Sequence, residues 1–209
     1  MGLDVRSPLP WLRPLLAPRR VSLRALALVA SLAAAGCSPR LVTPDAEPVK
    51  TSAAGGWVSV HQEGWFRVEL PGEPRVDHVA VPSAGEAQQA KRVIWKGEGG
   101  FASLVYFQSA GGFVASRAEV MNDVRGALVE SQGVKLLREA PAQSKNFLIR
   151  DIDLDVAPNS PSNPTPHRLL ARARVLVGAD RAYTLLVAGH YEAPDPALQR
   201  ILQTFVPQI

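Results

Sequence analysis

The sequence predicts an α+β fold, an antiparallel β-sheet covered by two main helices, within one globular domain spanning residues 57–209. Three observations carry this prediction. From Trp57 onward, short runs alternate apolar and polar residues at the period of a half-buried strand. Proline- and glycine-rich breaks between the runs suit antiparallel connections. Only two segments place apolar residues at helical spacing behind a recognisable start signal.

The elements follow in order. Trp57, Val58 and Val60 open a first strand, and Phe66-Arg67-Val68-Glu69-Leu70 alternates cleanly. Pro71-Gly72 fits a type II turn, because proline presets the first central residue and glycine accepts positive φ at the second. Val76 to Val81 and Lys91 to Lys96 are further strands. The latter turns through Gly97-Glu98-Gly99-Gly100 into Phe101 to Phe107 as a hairpin. Ser116 and Glu119 form a capping box, Val120, Met121, Val124, Ala127 and Leu128 recur on one helical face, and Gly133 closes that helix. Gly126 weakens the helix interior by about 1 kcal/mol relative to alanine. Four strands come next, at Val134 to Glu139, Phe147 to Val156, Leu169 to Val177 and Ala182 to Gly189. The last helix has Asp195 as N-cap and Pro196 at its first position, and buries Leu198, Ile201, Leu202 and Phe205.

The residues before this domain have a different character. Residues 19–37 read as a cationic stretch, an apolar run from Ala25 to Ala35 broken by Ser31, then small residues before Cys37, which is the layout of a secretory signal. The apolar run is too short to span a hydrocarbon core, which needs about 20 residues. Ala34, Ala35, Gly36 and Cys37 resemble the lipobox of bacterial lipoproteins, with Ala34 where leucine is usual. That resemblance implies cleavage between Gly36 and Cys37 and acylation of the Cys37 sulfur, so that residues 1–36 are a signal peptide. Several acyl chains at about 0.8 kcal/mol per buried CH₂ make such attachment effectively permanent. Arg19-Arg20-Val21-Ser22-Leu23-Arg24 resembles a twin-arginine export motif with Ser22 in place of the usual aromatic. A start at Val21 would shorten the leader to a common length.

Residues 37–56, with Pro39, Pro44 and Pro48 among small and polar residues and no aromatic, are expected to form a flexible tether. Its mean span would be on the order of 25 Å.

Charge narrows the function. Of 23 Lys+Arg and 19 Asp+Glu, five arginines and Asp4 precede Cys37, which leaves 18 of each sign beyond it. A nucleic-acid binder needs surplus cations to displace phosphate counterions, so no nucleic-acid partner is expected. Cys37 is the sole cysteine, which excludes an internal disulfide and, once acylated, a thiolate nucleophile.

The run from Phe66 to Pro74 (F-x-V-x-L-P-G-x-P), the central helix, the long paired strands and the ending Tyr183 to His190 followed by a helix closing at Phe205 together resemble the PsbP-type α/β/α sandwich. Small envelope lipoproteins with such endings are similar. The resemblance spans about Trp57 to Ile209 and implies an architecture used for binding and assembly. It carries no catalytic residue across.

Asp151, Asp153 and Asp155 sit two apart and so line one face of a strand, which makes them the foremost metal candidates. They do not make an EF-hand, because Val156 occupies the sixth position where glycine is required and Ser162 the twelfth where glutamate is required. Arg168, Arg172 and Arg174 follow across the loop, so a hairpin would set arginines opposite aspartates in a cross-strand charge ladder. His61, His78, His167 and His190 are scattered, with no H-E-x-x-H spacing. No serine-elbow or phosphate-loop motif occurs. No catalytic, metal or cofactor residue is therefore assigned, and no cofactor is expected. Trp57, Trp65, Trp95, Phe101, Tyr106 and Phe107 cluster in the early strands, mostly as core, with a minority able to line a partner face.

These readings converge on a non-enzymatic lipoprotein of the cell envelope. Its partners would be the bilayer, through acylated Cys37, and an envelope protein. Ser38 after the cysteine resembles the sorting signal for the outer membrane, facing the periplasm. The competing reading is an envelope hydrolase or small-ligand carrier using a cleft between sheet and helices. A pocket with convergent polar groups favours the second, and a flat exposed aromatic patch the first.

Overall fold

A computed structural model describes residues 49–54, 56–81, 88–109, 112–113, 115–190 and 196–208. The expected signal peptide (1–36), Gly36 and Cys37, the expected tether up to residue 48 and the expected N-cap Asp195 lie outside the described residues.

The first four strands are β1 (Lys50–Ala54), β2 (Trp57–Gln62), β3 (Phe66–Leu70) and β4 (Arg75–Val81). The hairpin β5 (Gln88–Gly97) and β6 (Gly100–Gln108) leads to α1 (Arg117–Val129). After it come β7 (Val134–Gln143), β8 (Leu148–Val156), β9 (Leu169–Val177) and β10 (Arg181–His190), then α2 (Pro196–Thr204) and β11 (Val206–Pro207).

The expected single sheet under two helices is not what forms. The described strands make two antiparallel sheets, a smaller one in the order β1-β2-β3-β11 and a seven-stranded one in the order β4-β5-β6-β10-β9-β8-β7. The described residues are therefore mostly β, and a second sheet does much of the covering that was assigned to helices. The smaller sheet and α2 together cover one face of the large sheet, burying Val60, Phe66, Val68, Ile201 and Phe205 against Trp95, Leu104, Tyr106, Tyr183 and Leu185. Helix α1 covers the opposite face, seating Met121 and Leu128 on Ile152, Leu154, Ala173, Val175 and Leu186. The physical reason is that the inward alternation of β2 and β3 states only that one side is buried. Whether that side meets a helix or another sheet depends on remote pairing.

Two short strands complete the smaller sheet. Residues 50–54, expected as tether, pair with β2, Thr51 opposite Val60 and Ser52 opposite Ser59. After α2 the chain returns to pair Val206 with Arg67 and Pro207 with Phe66. Both carry little or no large apolar alternation, so their strand character comes from the partner's exposed hydrogen-bonding edge.

Local signals held where the side chain itself makes the bond. The capping box forms as expected, with the Glu119 amide donating to Ser116 Oγ at 3.3 Å and the Ser116 amide donating to Glu119 Oε2 at 2.7 Å. The helix ends earlier than expected, at Val129, with Glu130 as C-cap donating to the Gly126 carbonyl, and Gly133 instead serves the following turn at φ 83°. Gly72 does not make a type II turn, for its φ is 153°. Its role is space, because a methyl there would lie 3.1 Å from Trp95 Nε1. The β5–β6 hairpin forms, with Gly97 opposite Gly100.

Strand β10 is buried along almost its whole length because both of its faces are covered. Strand β7, by contrast, is an edge, which is why Pro141 is tolerated opposite Arg150.

Candidate functional site

On the face of the large sheet that carries α2, strands β7, β8 and β9 present charge rather than core. The aspartates of β8 and the arginines of β9 pair as the alternation implied. Asp151 stands opposite Arg174 and Asp153 opposite Arg172, while Arg168, just ahead of β9, reaches Asp155. Arg174 makes a two-pronged bond to Asp151, Nε to Oδ1 at 2.7 Å and Nη2 to Oδ2 at 3.0 Å. It also donates from Nη1 to the Leu202 carbonyl near the end of α2, at 3.4 Å, which ties the ladder to the helix.

Asp155 is the most buried rung, its side chain 6% exposed. The two-pronged bond from Arg168 holds its carboxyl below the usual range against the opposing pull of burial, and the charge of Lys135 adds to the lowering. A carboxyl depressed in the folded state stabilises the fold above its unfolded value near 3.8, and that contribution is lost as pH falls through the folded value. On the α1 face, Glu139 is pushed up by burial, but bonds from Arg125 and Arg150 outweigh this and lower it. The chain should therefore lose stability as pH drops below about 4, and Asp155→Asn should flatten that loss. Urea midpoints between about pH 2.5 and 7 check this, and parallel curves for both proteins would refute the assignment.

Asp153 has two partners, the expected arginine across the β8–β9 hairpin and a second, from β7, that the sequence does not reveal. Arg172 donates from Nε to Oδ1 at 2.6 Å, and Arg138 of β7 donates from Nε to Oδ2 at 2.9 Å. Arg138 gets there through a β-bulge, since the β7–β8 register shifts between Leu136 and Arg138. One inserted residue reverses the alternation downstream, so Arg138 faces Asp153 and Glu139 turns to the α1 face, where it meets Arg125. Leu137, the inserted residue, is left 47% exposed.

Beside these groups, between α2 and strands β9 and β10, runs a groove of about 260 Å³. Leu170, Val187, Leu198 and Leu202 supply its apolar lining, and Asp153, Arg172, His190 and Gln199 its polar groups. Val187 pairs with Arg172 and His190 with Leu169, so guanidinium and imidazole stand apart along the groove. A second void, of about 30 Å³, lies among Leu128, Leu154 and Leu186 beneath α1 and is apolar, the size of one water.

The other sequence candidates separate. His167 and His190 come together, ring centroids 4.8 Å apart, whereas His61 meets Gln208 and His78 lies exposed on the edge strand β4. Trp95 and Tyr106 are buried between the sheets, Trp57 and Trp65 pack at the margin of that layer, and Phe101 and Phe107 turn to the opposite face. Burial pushes the Tyr106 phenol up. The exposed large apolar side chains among the described residues are Val76, Leu137, Leu170 and Val206, none aromatic. Among the described residues, no three His, Cys, Asp or Glu side chains are grouped to hold a metal ion. None of the described helices is long and apolar enough to cross a membrane.

No protein-family model and no curated protein matches the chain. Several solved structures do. PA94 of Pseudomonas aeruginosa, a protein of unknown function, is 14% identical, with 77% of this chain and 98% of that one covered at a TM-score of 0.39. LpqN of Mycobacterium tuberculosis, involved in cell envelope biogenesis, is 12% identical, with 66% and 86% covered at 0.40. The cyanobacterial PsbP of Synechocystis sp. PCC 6803 is 9% identical, with 81% and 98% covered at 0.39. At TM-scores below 0.5 these likenesses are partial.

Proposed function

We propose that this chain is a lipid-anchored, non-enzymatic binding module of the cell envelope, a small-ligand carrier rather than a docking module for a partner protein, held by acylated Cys37 and binding its ligand in the groove between α2 and strands β9 and β10. The single observation that carries the binding reading is the groove itself, whose apolar lining converges with charged and hydrogen-bonding groups. The anchor reading rests on the pattern of residues 19–37, a cationic and apolar leader ending in small residues before the sole cysteine. The arrangement of carboxylates supports binding over catalysis. Asp151, Asp153, Asp155 and Glu139 are each engaged by arginine, and for Asp155 and Glu139 the bonds hold the carboxyl below its usual range.

Expression of the full chain in a bacterium with a double-membrane envelope tests the anchor. The expected result is recovery in the membrane fraction, with a mature N-terminus at Cys37 carrying acyl chains by mass spectrometry. Cys37→Ser should move the protein to the soluble fraction. An unmodified thiol, or a mature terminus at another residue, would sink this reading.

A further inference from the structure

We propose that the groove takes a single-chain anionic amphiphile, its carboxylate or phosphate-monoester headgroup held by Arg138 and Arg172 and its alkyl chain laid between α2 and β9–β10. This rests on the binding-module reading and names its ligand class.

The headgroup site follows from how Asp153 is shared. Its carboxylate is held by two guanidiniums, each through Nε. Two cations around one anion leave one positive charge uncompensated, whereas Asp151 has a single ion pair, with Arg174. Because both contacts use Nε, the Nη edges of Arg138 and Arg172 keep their donors without a hydrogen-bond partner among the described residues. A guanidinium edge matches the two oxygens of a carboxylate or phosphate, and Asp153 holds both groups in place beforehand. Arg172 is 39% exposed and lines the groove, so the charge opens onto it.

The chain site follows from what lies next to that charge. Leu170, which is 37% exposed, and Leu198 and Leu202 of α2 form an apolar channel beside Arg172. With about 30 Å³ for a group the size of water, a volume near 260 Å³ holds on the order of nine methylene-sized groups. A medium alkyl chain fills it. A neutral chain would leave the positive charge unanswered, and a small anion would leave the apolar channel unfilled, so both features together select the amphiphile.

The test uses the full chain carrying Cys37→Ser, purified without detergent and titrated calorimetrically with decanoate, monodecyl phosphate, decanol and acetate. Decanoate and decyl phosphate should each bind about tenfold or more tightly than decanol, with acetate undetectable, since a charge-assisted bond contributes at least a tenfold preference. Their relative affinities distinguish a fatty acid from a phosphorylated lipid as the source. Arg172→Gln should remove most of that preference, lowering the affinity for decanoate about tenfold more than that for decanol, because Arg138 still satisfies Asp153. Should that variant fail to fold, Arg138→Gln makes the same test from the exposed edge strand. Leu170→Asp should weaken all three chains. Equal affinity for decanol and decanoate, or decanoate binding indifferent to Arg172→Gln, would overturn the headgroup assignment and leave the groove as a binding site. Failure to bind any of the amphiphiles would overturn the ligand class, whereas an unmodified Cys37 in the natural chain would sink the anchor and leave the groove result standing.

Discussion

Phe66→Ala should lower the stability of the chain by about 3–5 kcal/mol, the range for truncating a fully buried aromatic, and its melting point by on the order of 10 °C. Phe66 has no exposed surface and joins the elements of one layer. Its ring meets Tyr106 of β6 edge-on at 4.9 Å and Phe205, just past α2, at 6.4 Å. Strand β3 has no neighbour in the large sheet, so side-chain contacts of this kind hold the two sheets together. Truncation would open a cavity where β3, β6 and the end of α2 converge, and α2 is one wall of the groove. Phe66→Leu, which keeps most of the volume, should cost only about 1–2 kcal/mol. Urea unfolding of the two variants and the parent checks this, and a loss under about 1 kcal/mol for Phe66→Ala would mean the sheets are held together elsewhere.

Gly100→Ala should destabilise by about 3 kcal/mol although it adds a single methyl. Gly100 starts β6 opposite Gly189 of β10, in the middle of the large sheet. A methyl at Gly100 would overlap the Ala188 carbonyl oxygen and stand 3.0 Å from Gly189 Cα. Both obstacles are backbone, so relief requires the β6–β10 ladder to part. Gly126→Ala is the control with opposite sign. In α1 the new methyl would meet only the flexible end of Glu130, at 3.6 Å, and helix propensity predicts a gain of about 1 kcal/mol. Melting curves for both variants decide the matter. Equal and small effects would refute the steric account of Gly100.

Much of the fold was legible because its signals are local. The capping box needs only Ser116 and Glu119 three residues apart. The aspartate–arginine ladder was legible for the same kind of reason: a period of two puts Asp151, Asp153 and Asp155 on one side, and the next strand must return past them. Other features have no local signal. Residues 50–54 read as tether because Lys50-Thr51-Ser52-Ala53-Ala54 has no apolar alternation. The β7 bulge is equally silent in Leu136-Leu137-Arg138, yet it decides that Arg138 shares Asp153. His167 and His190 lie 23 positions apart and meet only because β9 and β10 are paired from Leu169 to His190.

By itself the sequence determined most of the extended segments between Trp57 and Gly189, where α1 starts, and which charges oppose one another on β8 and β9. All of these depend on spacings of a few residues. Tertiary structure alone decided that the strands divide into two sheets, that a sheet and α2 share one face while α1 takes the other, and that a groove opens beside a doubly held carboxylate. Alternation along a strand records that one side leaves water, and it is blind to what comes to meet it.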